Sequence, residues 1–105
     1  MKALVKMNGH PAGILERDGT TVRFQYDENY LKLRQPALSI SLPLRSEPFE
    51  QEGLPAYFSG LVSEGWLKRV QSKEQHIDPN DDFALLVHNG EDLPGAITIE
   101  LLNLP

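Results

Sequence analysis

Two tight-turn dipeptides near the N-terminus, Asn8-Gly9 and Asp18-Gly19, constrain the fold more than any other feature of the sequence. Asn-Gly and Asp-Gly tolerate the positive φ angles of short hairpin turns. Each lies between segments that read as strands, namely residues 3–7, residues 12–17 and the stretch TTVRFQY. The first part of the chain is therefore predicted to form an antiparallel, three-stranded meander.

Alternation supports the third strand and predicts a fourth. Val22, Phe24 and Tyr26 fall on one face of an extended chain, which is the period expected of a half-buried strand. The same alternation in LSISL predicts a fourth strand over residues 38–42. His10-Pro11 is expected to make the first connection longer than two residues.

The second half of the chain changes to helical spacing. Apolar residues in PAYFSGLVSEGWLKRV predict a short helix, a loop at residues 63–65 and a second helix. In DPNDDFALLVHNG, Asp78 is the expected N-cap and Pro79 the first helical residue of a third helix. AITIELL predicts a final strand. Together these elements predict one α+β domain over residues 1–105: a small antiparallel, partly barrel-like sheet covered by about three helices.

Composition excludes several classes of function. The net charge of −5 argues against direct nucleic-acid binding, which needs clustered cations. The absence of cysteine excludes disulfides and thiolate metal sites and fits a reducing compartment. No segment has the apolar length of a signal peptide or a membrane span, so the cytoplasm is the expected location.

The sequence offers little chemistry. The three histidines have no partner at metal-binding spacing, and DPNDD departs from a calcium loop at Phe83 and Asn89. No nucleotide-binding or nucleophile motif is present. No catalytic residue, cofactor or metal is therefore expected, although an acid–base role for Glu64 is a possible alternative.

Tryptophan occurs once, as Trp66, directly after the Gly65 break. Its orientation cannot be read from the periodicity of the preceding helix, so both a core and a partner-contact role stay open. If it contacts a partner, its neighbours Ser63, Glu64, Gly65 and Arg69 are the expected contact residues. The core is predicted to contain apolar residues on periodic faces: Phe24, Tyr26, Phe58, Leu61, Phe83 and Leu86.

Several linked motifs resemble the N-terminal subdomain of the HipA-type serine/threonine kinase toxins. These are F-x-Y at residues 24–26, LSISLPL at 38–44, FSGLVSEGW at 58–66 and DPNDDFALLVHNGEDLPGAITI at 78–99. Ser63 stands where that family usually has proline. The resemblance covers nearly the whole chain and implies the fold of that subdomain.

The kinase residues of the toxins would follow this subdomain, and the sequence has none after Pro105. The resemblance therefore implies a freestanding, HipS-like antitoxin of a three-component toxin–antitoxin system. Its expected partner is a HipT-like kinase, with a HipB-like helix-turn-helix protein reached through that kinase. The acidic charge would suit a partner with a basic cleft. A non-inhibitory accessory subunit, or a domain excised from a full-length kinase, is the alternative.

Overall fold

The two predicted hairpins form the middle of the sheet in this protein, for which a computed structural model describes residues 1–102. The strands are β1 (Lys2–Met7), β2 (His10–Asp18) and β3 (Thr21–Tyr26). Met7 pairs with His10, so the first loop is Asn8-Gly9 alone and the expectation of a longer connection is wrong. A register shift between Val5 and Lys6 leaves one extra residue in β2, as in a β-bulge.

The fourth strand lies later than predicted. Residues 38–42 form a turn, and β4 (Phe49–Glu52) pairs with β3 instead. The Tyr26 hydroxyl accepts a hydrogen bond from the Leu38 backbone N–H at 3.0 Å and donates one to the Leu42 carbonyl. These bonds hold Leu38 and Leu42 in the core while Ile40 is fully exposed. The alternating residues Leu38 and Leu42 are therefore buried by a turn and not by a strand.

β5 (Ile97–Leu102) pairs antiparallel with β1 and completes the strand order β4-β3-β2-β1-β5. The sheet of the described residues is open, with β4 and β5 at its edges. Gly90 packs so closely on β5 that an added Cβ would lie 1.8 Å from the Ile99 carbonyl oxygen. The α+β prediction is confirmed.

Within residues 1–102, four helices accompany the sheet: α1 (Glu28–Lys32), α2 (Ala56–Ser59), α3 (Gly65–Gln75) and α4 (Asp82–His88). The sequence did not predict α1, although Asp27 caps it by accepting from the backbone N–H groups of Asn29 and Tyr30. None of these helices, which are those of residues 1–102, is long and apolar enough to cross a membrane.

The N-cap of α4 differs from the prediction. Asp81 caps this helix by accepting from the Ala84 N–H at 3.0 Å. Asp78 accepts from the Asn80 N–H and closes the preceding turn, so the prediction of Asp78 as the cap is wrong. An Asp side chain that precedes the helix by one turn can accept hydrogen bonds from the N–H groups of a turn as readily as from those of a helix.

The core lies between one face of the sheet and the helices. Phe24 and Phe58 have no exposed surface, and their ring centroids are 5.4 Å apart. Of the predicted core residues, five are buried, whereas Leu61 is only half-buried and packs against the cluster. α4 contributes most, because five of its seven residues are buried.

Candidate partner-binding surface on helix α3

A backbone reversal at Gly65 decides the orientation of Trp66. Gly65 has φ +57°, a left-handed conformation that favours glycine, and no atom lies within 4 Å of the position of a Cβ there. Glu64 before it is extended and makes no side-chain cap bond. The reversal separates the register of α3 from that of α2. Trp66 consequently lies on the surface, and the residue is 70% exposed.

The predicted contact residues cluster where α3 begins. Glu64, Gly65, Trp66 and Arg69 are exposed, whereas Ser63 is half-buried at the end of the preceding loop. Trp66 and Arg69 are three residues apart and therefore neighbours on one helix face. Whether these residues contact a partner stays a prediction.

Two exposed residues extend this surface beyond the predicted set. Leu67 beside the indole is 46% exposed. Lys73 is exposed seven residues after Trp66, which is two helical turns further along the same face. Arg69 and Lys73 follow Trp66 by 3 and 7 residues, which is helical spacing. This spacing could have identified Lys73 from the sequence, provided that the start of the helix at Gly65 was known.

The opposite face of α3 contacts α4 through polar side chains. The Lys68 ammonium lies 2.9 Å from an Asp82 carboxylate oxygen. Gln75 and Asn89 exchange two amide hydrogen bonds of 2.8 and 3.1 Å. We call these two contacts the polar seam. Seven residues separate Lys68 from Gln75, and seven separate Asp82 from Asn89, the C-cap of α4, so α3 and α4 lie side by side and run in the same direction.

None of the 11 residues of α3 is buried. The polar seam is therefore the main contact between this helix and the rest of the domain. Two neighbouring carboxylates connect it to the sheet. Asp82 binds Lys68, while Asp81 binds Arg17 of β2 at 2.5 Å. The Arg17 guanidinium also lies 4.8 Å from the centre of the Phe83 ring.

The charge of Asp81 is stabilised where α4 begins. Partial burial acts to raise the pKa of its carboxyl, but the Ala84 N–H and the Arg17 guanidinium together outweigh burial. The pKa of Asp81 is therefore below its ordinary value. Because the lowered pKa favours the ionised carboxylate, Asp81 can hold both the helix start and the Arg17 contact.

No described feature supports catalysis by Glu64. This side chain is exposed, and it lines neither of two open surface pockets found among residues 1–102. The larger pocket, of about 450 Å³, lies between the β2–β3 turn and the start of α4. Within residues 1–102, no group of three acidic, histidine or cysteine side chains is arranged to hold a metal ion.

An open sheet backed by helices, with a tryptophan presented on a surface helix, defines a small α+β domain with a candidate interaction surface. The sequence profile of the HipA N-terminal domain family matches residues 3–100. The chain belongs to this family.

A solved structure described as the N-terminal domain of HipA toxin superposes with a TM-score of 0.77 at 32% identity. The match covers 99% of this chain and 94% of that one. The fold is therefore that of the HipA N-terminal domain.

Similar proteins fall into two length classes. An uncharacterized protein of Haemophilus influenzae is 38% identical over 96 residues, which cover 91% of this chain and 88% of that protein. Two putative kinases of Sinorhizobium fredii, Y4dM and Y4mE, are 32% and 35% identical over 90% and 74% of this chain. The matched region spans 25% of Y4dM and 19% of Y4mE.

Proposed function

We propose that this chain is a HipS-like antitoxin that binds a HipA-type, HipT-like serine/threonine kinase and neutralises it by protein–protein contact. The supporting observation is the distribution of the domain among its relatives. It accounts for 88% of the Haemophilus influenzae protein but only 25% of the putative kinase Y4dM. A domain that is attached to kinases in some proteins and nearly alone in others suits a role as a separate kinase partner.

The proposed contact is the start of α3, through Ser63, Glu64, Gly65, Trp66 and Arg69. Exposing 70% of a tryptophan to water is unfavourable in an isolated domain, and tryptophan is enriched among the residues that dominate binding energy. Seating the indole in the kinase would remove that exposure. Inhibition would then follow from obstruction of the active-site region or from fixation of the N-lobe, with no chemical step on this chain.

The proposed assembly contains a third protein. A HipB-like helix-turn-helix protein would bind DNA, and this chain would join it through the kinase, because a net charge of −5 disfavours direct contact with phosphates. We place the assembly in the cytoplasm, where such a kinase and a DNA-bound partner would meet.

Co-expression tests the proposal. The probe is a HipA-type kinase that lacks this domain, produced from an inducible promoter with or without the chain. The expected result is growth arrest by the kinase alone, restored growth with both proteins, and co-purification of the two. Continued arrest while both proteins are folded and abundant would refute neutralisation.

An accessory subunit that stabilises the kinase without inhibiting it is the second candidate. The two putative kinases that carry this domain within one polypeptide favour it, since there the domain is compatible with a kinase. Titration of the purified chain into an autophosphorylation assay separates the candidates. An antitoxin lowers the rate in a saturable manner, whereas an accessory subunit leaves it unchanged while still binding.

A further inference from the structure

The outward face of α3 combines its tryptophan with two cations. At about 100° per residue, Trp66, Arg69 and Lys73 lie within about 60° of one another around the helix axis. All three are exposed. We call this set the α3 stripe. Lys68 and Gln75 lie about 180–200° from Trp66, which is where the polar seam attaches the helix to α4.

The two cations of the α3 stripe have no partner in the described chain. Among residues 1–102, Lys68 forms an ion pair with Asp82, but neither Arg69 nor Lys73 forms one. At a rise of about 1.5 Å per residue, they follow Trp66 by about 4.5 and 10.5 Å along the axis. An unneutralised row of this kind is positive, although the chain as a whole carries −5.

We propose that the α3 stripe docks on a protein surface that offers an apolar socket for Trp66 and carboxylates beside Arg69 and Lys73. This inference rests on the proposed function, because the partner is taken to be the HipA-type kinase, and it specifies the chemistry of that partner's contact surface. The partner's acidic groups lie along one line, about 5–10 Å from the socket, to match the helix rise.

The net charge of the chain and the charge of the α3 stripe have opposite signs. The net charge of −5 favours a partner that is basic overall, whereas the α3 stripe favours acidic groups at the contact itself. Both conditions are compatible, since charges more than about 8 Å apart are largely screened at physiological salt. The combination discriminates between partners, because a socket without the carboxylates would leave two cations desolvated and unpaired.

A matched pair of charge reversals tests the proposal. The test variant is Arg69→Glu with Lys73→Glu, and the control is Lys32→Glu with Arg34→Glu, two exposed cations of the α1 region. Each single reversal changes the charge by −2, so both double variants go from −5 to −9. The control therefore changes the long-range electrostatic field of the chain by about the same amount as the test variant does.

The measurement is the dissociation constant for the same HipA-type kinase lacking this domain, at physiological salt, with thermal unfolding as the check on folding. We expect the stripe reversal to weaken binding by at least about 30-fold, since like charges would meet at the contact, and the control by less than about 3-fold. Reversing the partner's carboxylates to lysine should recover most of the loss.

The possible failures are distinguishable. If the stripe reversal binds like the wild type while Trp66→Ala binds weakly, the proposed partner chemistry is wrong and the proposed function stands. Equal losses for the stripe reversal and the control would also overturn the inference, because only the net charge would then matter. If the wild-type chain does not bind the kinase, the proposed function fails and this inference fails with it.

Discussion

Helices α3 and α4 lie side by side, yet they have different relations to the rest of the domain. Five of the seven residues of α4 are buried, whereas none of the 11 residues of α3 is. The polar seam joins them, so α4 belongs to the core and α3 is attached to the core through it. The difference shows how a domain can present a surface helix whose sequence is free of core constraints.

Sequence explains this difference directly. The run FALLV in α4 supplies four large apolar side chains within five residues. The backbone of Gly90 lies close to Ile99, so the end of α4 packs directly against β5. In contrast, the apolar residues of GWLKRVQSKEQ span an arc of only about 100° around the helix axis, and none of them is buried. Substitutions in α4 are therefore expected to affect stability, and substitutions on the outer face of α3 are expected to affect binding.

The largest expected effect is on stability, in α4. Leu86→Ala removes a side chain that is 1% exposed and should lower the free energy of unfolding by about 2–5 kcal/mol. Its matched control in α3 is Leu67→Ala, at a residue that is 46% exposed, with an expected loss below about 0.5 kcal/mol. Urea unfolding of both variants provides the measurement. Similar losses would mean that α3 is also part of the core.

A smaller effect is expected from the polar seam. Lys68→Met combined with Gln75→Ala removes both contacts of the polar seam, and a half-buried ion pair or an amide bond of this kind contributes about 1 kcal/mol or less. Amide hydrogens of α3 should exchange faster, whereas those of α4 and the sheet should not. Lys73→Met, on the outer face, is the control. Unchanged exchange in α3 would show that apolar contacts hold the helix.

The smallest effect is a change with pH at Asp81. Its folded-state pKa is lowered, so the stability it contributes is complete above the unfolded value near 3.8 and is lost as the pH falls through the folded value. Asp81→Asn retains a helix cap but removes this titration. Unfolding midpoints measured from pH 6 down to pH 2 should therefore fall less steeply for the variant than for the wild type. Parallel curves would contradict the assignment.

The hairpins could be predicted because their signals are local. Asn8-Gly9 and Asp18-Gly19 specify turns, and the alternation of Val22, Phe24 and Tyr26 specifies which face is buried. Both features depend on neighbouring residues alone. The family resemblance carried the same information across the whole domain, and the match over residues 3–100 confirms it.

Long-range contacts determine what could not be predicted. LSISL has strand alternation, but the Tyr26 hydroxyl, at least 12 residues away, holds it as a turn. The orientation of Trp66 depends on the φ angle of Gly65 and on seam residues from a later helix. Neither can be deduced from the periodicity of residues 55–70. The contact residues themselves were chosen from their position in the sequence, and they remain to be tested.

We propose that Trp66 serves binding and not folding. One variant, Trp66→Ala, is measured in two ways: its thermal unfolding, and its affinity by titration calorimetry for a HipA-type kinase that lacks this domain. We expect an unfolding midpoint close to that of the wild type, together with a loss of more than about 2 kcal/mol in binding free energy. A collapsed unfolding transition, or an unchanged affinity, would contradict it.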